Sequence, residues 1–118
     1  MSLKQHEQSG NVWHPKEHKA EGHWRIEADG DALILHLEDD FRTDSGPDVK
    51  LYLSRKSVHD IGNQERVEDN GVLIALLQSF DGAQDYTLPK VDDFGVFKSL
   101  MLHCEKYTAV WCGAELKP

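Results

Sequence analysis

The sequence predicts an all-β domain: an antiparallel β-sandwich or flattened barrel of about seven to eight short strands. Three observations carry this reading. Apolar and polar residues alternate in short runs, turn formers such as Asp29-Gly30-Asp31 and Gly46-Pro47-Asp48 separate those runs, and no stretch sustains a helical period. At 118 residues the chain has room for one domain with one core.

The elements follow in order. Residues 1–17 hold little apolar periodicity and one tryptophan, Trp13, so they read as a flexible N-terminal arm ahead of a domain spanning residues 18–118. Residues 22–28 alternate, stop at Asp29-Gly30-Asp31, and alternation resumes over residues 32–37. An Asp-Gly pair between two such runs predicts a hairpin with a type I′ turn, whose central positions both need positive φ. Residues 41–48 form a loop of turn formers, and residues 49–54 a period-2 strand. Residues 55–71 are polar and predict a long excursion with at most a helical turn. Strands are expected at residues 72–77 and 84–88, the second ended by Pro89, which cannot donate to a ladder. The last pair spans residues 96–104 and 107–112 about a Glu105-Lys106 turn.

Composition excludes several partner classes. Thirteen basic and 21 acidic residues leave a formal charge of −8, which repels phosphate backbones, so nucleic acid is not an expected partner. No run nears the roughly 20 apolar residues that cross a bilayer, so no membrane insertion is expected for this acidic, soluble chain. Two cysteines are too few for a disulfide-stapled scaffold.

Chemistry concentrates on few residues. Cys104 is either a small core hydrophobe or a functional thiol, and the second role needs exposure near positive charge. His103 precedes it, but neighbours in a strand point to opposite faces, so a pairing histidine must come from elsewhere, with His23 and His36 as candidates. With a tight turn at Glu105-Lys106, Cys112 lies opposite about residue 99, too far from Cys104 for a disulfide; two separate thiols are expected. His14 and His18 have the i, i+4 spacing of a metal pair, but Pro15 opposes a helix there. The acidic clusters Glu38-Asp39-Asp40, residues 44–48 and Asp92-Asp93 lack EF-hand spacing and read as solvated faces. No metal site is expected. No nucleophile elbow, P-loop, dinucleotide fingerprint, CxxC or CxxCH motif occurs, which excludes covalently attached haem.

The stretch Leu35-His36-Leu37-Glu38-Asp39-Asp40-Phe41-Arg42-Thr43-Asp44-Ser45-Gly46-Pro47-Asp48-Val49-Lys50-Leu51-Tyr52-Leu53-Ser54 resembles the centre of the DM-thirteen domain family. His18-Lys19-Ala20-Glu21-Gly22, Gly82-Ala83-Gln84-Asp85-Tyr86-Thr87-Leu88-Pro89 and residues 96–116 match in the same order, so the resemblance covers roughly residues 18–116. It implies a small β-domain, usually extracytoplasmic or membrane-anchored and often beside DOMON domains, with a proposed role in electron transfer. The cysteine to which the family's redox role is ascribed, as a bare thiol or as a ligand of a prosthetic group such as haem, maps onto Cys104. Three features depart from the pattern: His103 replaces an aromatic residue, Trp111-Cys112-Gly113 replaces a Phe-Gly step, and the first residues lack the apolar run expected of a leader peptide. The compartment is expected to be extracytoplasmic if a leader has been removed and cytoplasmic otherwise.

The expected function is thus an accessory domain, redox-active through Cys104 or a bound group (haem or none), rather than an autonomous enzyme. The alternative is a non-catalytic module that binds a protein or small molecule. Its binding face is formed by the loop carrying Asp44, Gly46, Pro47 and Asp48 together with the 55–71 excursion. A small hydrolase or metal enzyme using His and Asp groups is the third reading.

Overall fold

A computed structural model describes residues 3–117. Eleven strands form two main antiparallel sheets and a two-stranded ribbon. The first sheet is ordered β1 (Gln8–Gly10), β4 (Trp24–Asp29), β5 (Ala32–Leu37), β9 (Gln84–Thr87). The second is ordered β2 (His14–Pro15), β11 (Ala109–Glu115), β10 (Ser99–Cys104), β7 (Val49–Ser54), β8 (Gly71–Leu76). The ribbon pairs β3 (Ala20–Glu21) with β6 (Arg42–Thr43).

The two sheets bury a core because their alternating apolar residues face one another. Trp24, Ile26, Leu33, Leu35 and Leu37 from the first sheet meet Leu51, Leu53, Leu100, Leu102 and Cys104 from the second. The second sheet is also covered on its other face. There Tyr52, Met101 and Val110 pack under Val58, Ile61 and Val67 from the segment between β7 and β8. That explains why β10 is buried at every position rather than at every second one. The 55–71 excursion carries two 3-10 turns, Val58–Asp60 and Val67–Asn70, and works as a cover over the sheet, not as a free loop.

Three expectations are corrected in detail. The 24–37 hairpin turns through Gly30 and Asp31, and only Gly30 has positive φ, at 62°; that is the first-position requirement of a type II′ turn rather than type I′. The β10–β11 connection is a 3-10 turn, Glu105–Tyr107, closed by Thr108 in the left-handed region at φ 51°. A bulge at Trp111 follows, so Cys112 lies opposite Leu102 rather than residue 99. Finally, the described part of the stretch expected as an arm is laid down on both sheets. β1 pairs with β4, β2 pairs with β11, and Trp13 is buried with its Nε1–H donating to the Gly22 carbonyl at 3.1 Å. Among the described residues no helix is long and apolar enough to cross a membrane.

Candidate functional site

Cys104 is the last residue of β10 and points into the main core, fully shielded from solvent. The Sγ–H donates to the Pro47 carbonyl oxygen at 2.9 Å, so the thiol lies directly beneath the loop that the sequence offers as a binding face. Two residues singled out for different reasons, Cys104 and Pro47, thus belong to one assembly. Cys104 and Cys112 are both free and both buried. Burial pushes the Cys112 thiol far above its usual range, with Asp44 adding to the rise and Thr43 opposing it, which makes that sulfur inert.

The loop over Cys104 is held by a tryptophan. Trp111, the bulged residue of β11, donates Nε1–H to the Asp44 carbonyl at 3.0 Å. Gly46 lies flat on the indole; a Cβ there would stand 2.7 Å from Cη2, which only glycine avoids. His18 stacks on the same ring system, 3.7 Å between centroids at 24°, and its Nδ1 lies 2.9 Å from Asp44 Oδ2. Asp48 ends the loop in the left-handed region at φ 58°, and its carbonyl accepts from the Glu105 amide at 3.4 Å. Of the four loop residues proposed from sequence, Asp44, Gly46 and Pro47 therefore make contacts that bear on Trp111 or Cys104, and Asp48 turns the chain into β7. Beside the loop a shallow cavity of about 230 Å³ is bordered by Lys19, Arg42 and Asp44.

On the opposite face of β10 a polar cluster sits under the cover. Lys50 Nζ and Tyr52 Oη both donate to Glu105 Oε2, at 2.7 and 2.8 Å. These hydrogen bonds, Lys50 first, hold the Glu105 carboxyl below its usual range. His103 is fully buried and meets Tyr52 edge-on, 5.9 Å between centroids. Its Nε2 lies 3.3 Å from Glu68 Oε1, close enough for attraction but too misaligned for a hydrogen bond, and neither ring nitrogen has a hydrogen-bond partner among the described residues. Burial holds His103 below the usual imidazole range although Glu68 and Glu105 pull the other way, so it is neutral at neutral pH. Sequence reasoning placed His103 on the far face from Cys104 and it lies there; what alternation did not disclose is that this face is covered too.

The other histidines are dispersed. His23 pairs with Asp40 and His36 with Asp85, both on the surface and away from Cys104. His14 contacts His59 rather than His18. No group of three or more His, Cys, Asp or Glu side chains among the described residues could hold a metal ion.

A family model described as Electron transfer DM13 matches residues 14–116. The chain belongs to this family. No curated protein and no solved structure matches it. A DM13 prosthetic group such as haem needs a ligand atom that faces a cavity wide enough for a macrocycle. Cys104 does not offer that: its sulfur is shielded, its proton is committed to Pro47, and it lines neither the cavity of about 230 Å³ beside its own loop nor the one of about 530 Å³ at Phe94. The residues around Cys104 do not fit such a group.

Proposed function

We propose that this DM13 domain is an accessory redox module in which Cys104 is a latent thiol and the loop bearing Asp44, Gly46, Pro47 and Asp48 is both its lid and its contact surface. The observation that carries the reading is the hydrogen bond from Cys104 Sγ to the Pro47 carbonyl. While that contact stands, no reagent reaches the sulfur. Docking of a partner on Asp44 and the exposed side of Trp111's stack can lift the loop locally, because its seat is one indole and a few hydrogen bonds rather than a sheet ladder. With the loop lifted, the thiol gives its proton to water and the resulting thiolate can attack a partner's disulfide. One S–S bond breaks, a mixed S–S bond forms, and the partner's second sulfur leaves as thiolate. The domain then serves an electron-transfer protein without being an enzyme on its own.

Cys112 supplies an internal comparison, since it is equally buried but faces Thr43 rather than the Pro47 carbonyl that caps Cys104. The test compares the Cys104→Ala and Cys112→Ala variants in their reaction with an aromatic disulfide reagent, each with and without Gly46→Ala, which drives a methyl into Trp111. A lid predicts that Gly46→Ala speeds modification of Cys104 by about tenfold or more while Cys112 follows only global unfolding. If both thiols react at one common rate set by global unfolding, Cys104 is a core residue and the domain is the non-catalytic binding module.

A further inference from the structure

A second cavity lies toward the other end of β10 from Cys104. Its volume is about 530 Å³, within the range of small-ligand sites. Phe94, on its wall, precedes the first residue of β10 by five positions, and Cys104 is the last residue of that strand, so a strand length of about 17 Å separates the two regions. Nothing in the loop above Cys104 touches this cavity.

The floor is apolar. Leu33 from the start of β5, Leu88 just after β9, and Phe94 from the 3-10 turn Phe94–Val96 are all buried residues that face it. Leu88 is fixed by its amide, which donates to the Leu33 carbonyl at 2.8 Å, so two of the three walls move as one. His6 tilts against Phe94 at 5.2 Å between centroids and gives the cavity an aromatic side. Such a surface gains from dehydrating a flat apolar body.

The rim carries the selectivity. Asp31, Asp92 and Asp93 border the mouth, with Lys90 as the one Lys or Arg among the lining residues. Lys90 is spent on Asp31 at 3.0 Å, and Asp93 Oδ1 accepts from the Gly95 amide at 2.9 Å. Asp92 has no hydrogen bond or ion pair with any described residue. Three carboxylates against one ammonium, on a chain of net charge −8, make the mouth repel anions and attract cations.

We propose that this cavity binds a small organic cation with a flat apolar body, an arylalkylammonium, with its ring on Leu33, Leu88 and Phe94 and its ammonium group at the Asp31, Asp92 and Asp93 rim. Both halves of the ligand contribute: three apolar side chains dehydrate the ring, and exposed carboxylates alone hold a bare ammonium only weakly.

Four probes separate the contributions: phenethylamine, phenethyl alcohol, hydrocinnamate and ethylamine, each titrated into the isotope-labelled full chain at neutral pH and low salt, with amide shifts as the readout. Phenethylamine is expected to bind about fivefold to tenfold more tightly than its alcohol. The anion and ethylamine bind more weakly still. The shifts fall on the amides of Leu33, Leu88, Lys90, Val91 and Phe94, added salt weakens binding, and Asp92→Asn weakens it about threefold while thermal stability is unchanged. Equal affinity for amine and alcohol, ethylamine matching phenethylamine, shifts centred on Glu38, Asp39 and Asp40, or no saturable shift at all would each overturn the assignment. Cys104 modification is unaffected by any of these results, so this site and the lid are judged separately.

Discussion

Cys104 and His103 are consecutive residues of β10, equally buried, and treated in opposite ways by the fold. The thiol on the inner face has its proton placed on the Pro47 carbonyl; the imidazole on the outer face has two nitrogens without hydrogen bonds and a misaligned Glu68 beside it. A weak donor such as a thiol is satisfied by one backbone oxygen, whereas an imidazole brings two polar atoms into a low-dielectric site and leaves a penalty when either is unmatched. The inner face of β10 is therefore settled core, and the outer face stores an electrostatic cost.

The comparison breaks most visibly at Trp111, which supports the lid over Cys104. Trp111→Ala removes a buried indole and is expected to lower unfolding free energy by about 3–5 kcal/mol, read from urea midpoints. A smaller contrast separates the two neighbours themselves. Cys104→Ala is expected to cost about 1–2 kcal/mol through the cavity it leaves. His103→Leu, by contrast, leaves stability unchanged or raises it by about 1 kcal/mol, since two orphaned nitrogens are replaced by apolar surface. A loss of more than about 2 kcal/mol for His103→Leu would mean that the imidazole is satisfied after all.

The pH dependence sharpens the same point. His103 is held below its unfolded value, near about 6.5, so below that pH the unfolded chain takes up a proton that the folded chain resists. Stability is complete above that value and falls as pH drops toward the folded one. Urea midpoints taken above and below about pH 6.5 should differ for the wild type, and His103→Leu should flatten the difference. The smallest effect concerns the turn after β10: Thr108, a β-branched residue at φ 51°, carries left-handed strain, and Thr108→Gly should raise stability by about 1 kcal/mol in the same assay.

The long strands were legible because their chemistry repeats every second residue. Residues 24–37, 49–54 and 99–104 hold six-residue strands whose pattern or apolar density survives any choice of turn. β1, β2, β3 and β6 were not, since two or three residues cannot display a period. The one hint in the first stretch was Trp13, whose burial shows that this stretch is docked. The register of Cys112 was misread because a 3-10 turn and a bulge consume residues that a two-residue turn would not. At the candidate site, Cys104 and the Gly46-Pro47-Asp48 turn were each visible as residue types, but their contact is a tertiary event across 57 positions. His103 was legible in direction and not in environment, because the cover comes from Val58, Ile61 and Val67, spaced too widely in a polar segment to read as core.

β11 lies in the interior of its sheet, with β10 on one side and β2, from the first fifteen residues, on the other. The Lys117 amide then donates to Gln8 Oε1 at 2.8 Å, drawing the two ends of the described chain to one spot. β1 finds β4 nearby in sequence, whereas β2 must wait for β11, close to the far end of the described residues. Folding therefore carries the slow closure of a topology rich in distant pairings.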